Sequence, residues 1–344
     1  MGHRVALIGA GMIAHHHAEK WRSAGAEVVA IADVEPKALA TFTERYRIAA
    51  AYTDYTDLLR REPDVEIVDV CTPPWLHAPM TIAALEKGKH VLCEKPIALS
   101  AVEADAMAAA AKAAGKVLAC RQGDTRLARE ARTVRELVRS GVLGEIYFLR
   151  LTARGLTRPG IEYNPKARWF LDRSRAGGGA LYDWGVYDLE ILFSVFGALE
   201  VDTITALTFT GVERPAEDIT FDVEEHAVAT LTVKNGPMIF WERGWASHLP
   251  PENRWSFYGT RAGFSFAPHS AVLHTDMDPK LTRYGPGEAV PLEVPPLAPP
   301  GPDVFEDFLL AVEGKRAPAC SGEEAAAMLR IIDDVYLAAR PISA

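Results

Sequence analysis

The chain has 344 residues, 49% of them hydrophobic, which favours two hydrophobic cores over one. Its formal net charge of −9 argues against a nucleic-acid backbone or an anionic membrane as the main partner and leaves a small molecule as the leading ligand class. The four cysteines, Cys71, Cys93, Cys120 and Cys320, show no CxxC spacing, so neither a disulfide framework nor a structural zinc site is expected. With no export signal and no apolar run near about 18 residues, the chain reads as soluble and cytoplasmic.

From residue 4 to about 121, the β-branched runs "RVALIG", "EVVAIAD", "VEIVDVCT", "HVLCEK" and "KVLACR" alternate with helical stretches such as 78–87 and 101–114. Strands without polar alternation are buried on both faces, and the helices between them supply the crossovers of a parallel sheet. Residues 1–123 are therefore expected to form a doubly wound α/β domain. Beyond it, a helix near 127–140 leads into "IYFLRLTARG", and more alternating strands follow at 201–210, 222–233, 237–245 and 254–258, with a hairpin signal at "KNGP". Residues 124–344 read as an α+β domain with an open, largely antiparallel sheet. The stretch 285–302 carries seven prolines and reads as irregular. Asp303 then caps a helix with Phe305, Phe308 and Leu309 on one face, and a final helix spans 322–339.

"GAGMIA", residues 9–14, follows the first strand and opens a helix, a GxGxxA form of the dinucleotide fingerprint. Gly9 permits the tight turn, and Gly11, with Met12 and Ile13 opening the helix, lets pyrophosphate approach backbone N–H groups at its positive end. Asp33 ends the second strand about twenty residues on, where a carboxylate accepts hydrogen bonds from both ribose hydroxyls. Glu35 adds a second charge that repels a 2′-phosphate, so NAD is favoured over NADP. The plain alternative for Asp33 is a helix N-cap. The three histidines 15–17 do not form a metal site, because consecutive helical residues point about 100° apart. His17 is instead expected to pack, or to lie beside the cofactor.

"CEKPIA", residues 93–98, sets Glu94 and Lys95 at the carboxyl end of a buried strand, the edge where open α/β sheets bind ligands. Pro96 holds Lys95 extended. The plain alternative is a surface lysine snorkelling to water beside a salt-bridged Glu94. In "TPPWLHAP", residues 72–79, Thr72 and Pro73 end the preceding strand and Pro73 and Pro74 stiffen a loop over the nicotinamide region. Trp75 or His77 faces the ligand there, or else Trp75 packs and His77 caps the next helix. "GGGALYDWGVYDLE", residues 177–190, places Asp183 four residues ahead of Tyr187, on one helical face.

The fingerprint, "CTPPWLHAPMTIAALEKGKHVLCEKPIA" at 71–98, "AGGGALYDWGVYDLE" at 176–190 and "YGTRAGF" at 258–264 together resemble the glucose–fructose oxidoreductase/inositol dehydrogenase family, Gfo/Idh/MocA, over essentially the whole chain. The resemblance implies an N-terminal Rossmann domain, a C-terminal α+β domain used for homodimer or homotetramer contacts, and an active site between them. It further implies hydride exchange between a nicotinamide and a secondary hydroxyl of a sugar or cyclitol. The family's catalytic lysine corresponds to Lys95 and the carboxylate of its glycine-rich motif to Asp183. Tyr187 stands where many members have histidine, as in a branch resembling glucose–fructose oxidoreductase, xylose dehydrogenase and dimeric dihydrodiol dehydrogenase.

A tyrosine with its ordinary pKa of about 10 is a poor base near neutrality without an adjacent cation, which Lys95 is expected to supply. Arg121, Tyr163, Arg168 and Trp169 are candidate sugar contacts, since aromatic faces stack on pyranose rings. Two rival functions are a redox-neutral glycoside cleavage or elimination through a transient keto-sugar, and a nucleotide-binding regulator without catalysis. Lys95, Asp183 and Tyr187 together argue against the regulator.

Overall fold

The computed structural model describes residues 2–212, 219–266, 282–285, 288–291, 299 and 301–343. The chain divides into two compact units, one of Met1–Leu127 with Pro302–Leu329, the other of Ala128–Gly301 with Arg330–Ala344. The first unit therefore takes in a late segment that the expected cut after residue 123 assigns elsewhere.

In the first unit β1 (Arg4–Ile8), β2 (Glu27–Ala32), β3 (Ala50–Tyr52), β4 (Ile67–Val70), β5 (His90–Cys93) and β6 (Leu118–Cys120) form one parallel sheet in the order β3-β2-β1-β4-β5-β6. Helices α1 (Met12–Ser23), α2 (Pro36–Tyr46), α3 (Tyr55–Arg61), α4 (His77–Glu86) and α5 (Ala101–Ala114) make the crossovers, and a short α6 (Gly123–Leu127) follows β6. This is the doubly wound arrangement expected of unbroken apolar strands. β3 and α3 are additions to the elements read from sequence.

The second unit opens with α7 (Arg129–Arg139) and β7 (Ile146–Arg154), followed by the short α8 (Arg173–Ala176) and the long α9 (Ala180–Phe196). Strands β8 (Val201–Thr210), β9 (His226–Val233), β10 (Met238–Gly244), β11 (Glu252–Gly259) and β12 (Gly263–Phe266) complete most of its sheet. Its order is β12-β11-β7-β10-β9-β8-β15, where β15 is Ala339–Ser343. The β10–β7 and β15–β8 pairs are parallel and the other four antiparallel. Asn235 adopts a left-handed φ of 54° in the "KNGP" hairpin between β9 and β10. Within the proline-rich stretch expected to be irregular, β14 (Glu288–Pro291) pairs with β13 (Thr282–Gly285), and residues 286–287, 292–298 and 300 lie outside the described residues.

Two closing helices, α10 (Val304–Val312) and α11 (Gly322–Ala338), follow. Asp303 caps α10 as expected, accepting from the N–H groups of Phe305 and Glu306 at 3.0 Å. Phe305 and Phe308 meet Trp21 of α1 edge-on, with ring centroids 4.9 and 6.0 Å apart, inside the core formed by Val5, Leu7, Phe42, Ile67 and Leu92. Burying two such rings contributes about 1.5–3 kcal/mol each, which is why this segment folds with the first unit. The chain leaves helix at Ala338, one residue before the expected end, and adds β15 to the sheet edge. Among the described residues no helix is long and apolar enough to cross a membrane.

Candidate active site

In the first unit the fingerprint turn is built as its residue types require. Gly9 has φ +103°, and a Cβ there would come within 2.9 Å of the Cys71 backbone. A Cβ on Gly11 would meet nothing within 4 Å. Gly11 is the N-cap of α1, no side chain caps that helix, and its first turn carries no acid. The backbone N–H groups at Met12 and Ile13 thus open the helix without a competing anion, an arrangement suited to a pyrophosphate.

Asp33 stands beside this turn. Its Oδ2 accepts from the Ala10 N–H at 2.6 Å and its Oδ1 from the Glu35 N–H at 2.8 Å. The cap of α2 is Glu35, which accepts from Lys37, so the N-cap alternative for Asp33 does not hold. The free start of α1 and the carboxylate at the end of β2 together fit an adenine dinucleotide.

The loops after β4 and β5 are stitched by His77. Its ring is completely buried, with Nδ1 2.8 Å from the Pro96 carbonyl and Nε2 2.7 Å from the Thr72 carbonyl. Burial lowers its pKa, against the pull of the two carbonyls. His77 does not cap α4, whose N-cap is Leu76. It fixes Thr72 and Pro73 relative to Lys95 and Pro96. Trp75 is half-buried in the 3-10 turn Pro74–Leu76.

Lys95 is half-buried and Glu94 buried. Glu94 Oε2 accepts the Lys95 N–H at 2.8 Å, and Oε1 lies 2.9 Å from His17 Nε2 and 3.5 Å from Arg121 Nε. Arg121 also approaches Asp124 at 3.7 Å. Gln122, its neighbour, is buried and donates to the sulfur of Met328.

In the second unit Asp183 and Tyr187 both lie on α9, as the spacing requires. Asp183 is buried and accepts from the Trp245 indole N–H at 3.3 Å, while Tyr187 is half-buried with its ring 5.8 Å from that of Trp184. Asp183 sits in the first turn of α9, where the helix dipole favours an anion. Among the sugar candidates, Tyr163 and Arg168 are exposed, and Trp169 is half-buried and stacked on Phe170 at 3.8 Å. Arg154 pairs with Glu252 and Glu242 on the sheet.

Sequence reasoning missed the group that holds α9 in place. Glu224 is buried, accepts from the N–H groups of Gly179 and Leu181 at 2.9 Å each, and receives the Tyr336 hydroxyl at 2.8 Å. It does for the helix what no N-cap side chain does. Burial pushes Glu224 up, against the lowering effect of those hydrogen bonds, and burial with the adjoining acid pushes the Tyr336 phenol up as well. Gly178 and Gly179 are glycines because a Cβ would collide with Tyr336 and with the Glu224 backbone. The one available signal was the acid pair of "DVEEHAV", set inside a strand-like run whose observed strand starts only at His226.

Comparison with known proteins follows the same lines. A family model described as an oxidoreductase family with an NAD-binding Rossmann fold matches residues 3–122, and a GFO/IDH/MocA C-terminal domain model matches residues 131–265. The D-glucoside 3-dehydrogenase of Escherichia coli (strain K12) is 34% identical over 81% of this chain and 80% of its own length. The 1,5-anhydro-D-fructose reductase of Ensifer adhaerens is 27% identical over 93% of this chain and 91% of its own. Among solved structures, the aldose-aldose oxidoreductase of Caulobacter crescentus complexed with glycerol matches with a TM-score of 0.80 at 25% identity, covering 98% of this chain and 97% of that one.

Proposed function

Because the chain belongs to the Gfo/Idh/MocA family of NAD-binding oxidoreductases, we propose that it oxidises a secondary hydroxyl of a sugar, sugar derivative or cyclitol, or runs the reverse reduction. The observation that carries this reading is the uncapped start of α1 with Asp33 beside it. Asp33 with Glu35 favours NAD over NADP, because two carboxylates repel a 2′-phosphate. When bound, NAD accepts the hydride released from the carbinol carbon.

The remaining work falls to side chains. Tyr187, in the place of a histidine, takes the hydroxyl proton. Lys95 favours the phenolate and polarises the forming carbonyl oxygen. Asp183 orients the substrate hydroxyl or Lys95. Thr72, Pro73 and Glu94 border the nicotinamide end, and Arg121, Tyr163, Arg168 and Trp169 contribute to the sugar site. The name of the Escherichia coli relative favours a glucoside oxidised at position 3. Exposed Tyr147, Leu207, Met238 and Tyr258 on the second unit's strands favour a homodimer or homotetramer. Four free, buried cysteines suit the cytoplasm.

Purified protein with NAD and a panel of glucosides, aldoses, anhydrosugars and cyclitols is expected to accumulate NADH, fastest with a glucoside and more slowly when NADP replaces NAD. Turnover without net NADH favours the redox-neutral route, and NAD binding with no turnover of any member overturns the enzymatic assignment.

A further inference from the structure

Inside the first unit, Glu94 and Arg121 meet two ionisable side chains, His17 and Asp69, to which the reaction above gives no part. His17 of α1 and Asp69 of β4 are completely buried, and Glu94 is nearly so. His17 Nδ1 lies 2.9 Å from Asp69 Oδ2, and Nε2 lies 2.9 Å from Glu94 Oε1. A neutral imidazole donates from one nitrogen only, so two ionised carboxylates are both served by a doubly protonated ring. Trp21 donates to Asp69 Oδ2 at 2.6 Å, the Lys95 N–H donates to Glu94 Oε2 at 2.8 Å, and Arg121 Nε approaches Glu94 Oε1 at 3.5 Å. Two carboxylates then face two cations, which is what burial of charge demands.

We propose that His17 is a positioning residue: a buried imidazolium, braced by Asp69, that clamps Glu94 from behind and thereby fixes the backbone from which Lys95 projects. The inference rests on the role of Lys95 set out above.

The electrostatics agree with the geometry. Burial disfavours a charged ring at His17, but the adjacent Asp69 charge and its hydrogen bond outweigh it and hold the imidazole well above its ordinary value. Burial would likewise raise Glu94, and the hydrogen bond from His17, the charges of Arg121 and His17 and the Lys95 N–H together hold it far below the usual carboxylate range. The ring is faced by Asp69 and Cys71 at the end of β4 and Glu94 after β5, with Arg121 after β6 behind Glu94 and His16 on its own helix. Phe305 of α10 covers it edge-on at 4.9 Å.

The ligand atoms of His17, Asp69 and Cys71 also lie within 4.8 Å of one another, a spacing that metal ligands share. Burial first, with the Asp69 charge, pushes the Cys71 thiol up to about 12, so the sulfur keeps its proton.

The test starts with nitrogen-15 NMR of imidazole-labelled protein free of sugar and cofactor. Both His17 nitrogens are expected to carry protons at about pH 8, above the ordinary value of about 6.5; a neutral ring, or stoichiometric bound metal, overturns the proposal. In Asp69→Asn the ring loses its counter-charge and gives up its proton at lower pH, so the alkaline fall of kcat moves to lower pH. His17→Gln, which hydrogen-bonds without charge, is expected to lower kcat by on the order of ten- to a hundredfold and to lack that limb. A wild-type pH profile in folded Asp69→Asn overturns the proposal. The NMR result needs no turnover, so it decides the charge of His17 even if no sugar on the panel is oxidised.

Discussion

Tyr187→Phe is expected to lower kcat for sugar oxidation by on the order of 10²–10⁴-fold, the range for losing a positioned acid/base, with NADH affinity unchanged. Tyr187 lies on α9 one turn beyond Asp183, half-buried with its ring beside Trp184, and the substitution removes the hydroxyl while keeping the ring. The helix itself is secured elsewhere, by Glu224 on the Gly179 and Leu181 N–H groups and by the Asp188 carboxylate, which takes the Trp241 N–H at 2.7 Å and pairs with Arg243. Loss of activity in this variant therefore reports chemistry rather than unfolding. Steady-state kinetics and NADH titration by fluorescence separate the two quantities, and near-full turnover removes Tyr187 from its assigned role.

Lys95→Met is expected to lower kcat/KM by on the order of 10²–10³-fold, the effect of losing one donor to a developing oxyanion. It is also expected to change the pH profile in a definite direction. In the proposed pairing a cation favours the phenolate, so removing it disfavours the base form of Tyr187. The base form is then scarce near neutrality, and the residual rate climbs with pH through a range in which the parent's rate is level, short of its alkaline fall. Methionine nearly preserves the side chain's length, so the loops held by His77 between Thr72 and Pro96 keep their anchors. A profile superimposable on the parent's separates Lys95 from Tyr187 and sinks the pairing.

What could be read in advance follows from how local each cause is. Strands β1, β2, β5 and β6 are largely apolar runs, and β4 is one broken by Asp69, so they announce themselves. β3 is three residues, Ala50–Tyr52, with none of them buried, and leaves no such trace. Asp33 was legible because its distance from the fingerprint is set by one strand–helix–strand unit. Glu224 was not, because its partners Gly179 and Leu181 lie more than forty positions away and its neighbours look like an alternating strand. The three glycines were visible as glycines, yet the reason for two of them, contact with Glu224 and Tyr336, belongs to tertiary packing. The same holds for His77 and His17. Their motifs were plain, whereas the Pro96 carbonyl at His77 and the Asp69 and Glu94 carboxylates at His17 come from β4 and the loop after β5.

Following the hydride itself tests the proposed reaction most directly. A glucoside or other panel substrate deuterated at the carbon undergoing oxidation is mixed with enzyme and NAD under single-turnover conditions, and the dinucleotide is examined by mass spectrometry and proton NMR. The expected result is deuterium at C4 of the reduced nicotinamide, at the rate of substrate loss. Substrate consumed with an unlabelled dinucleotide, or with the label in water, would contradict hydride transfer and with it the dehydrogenase assignment.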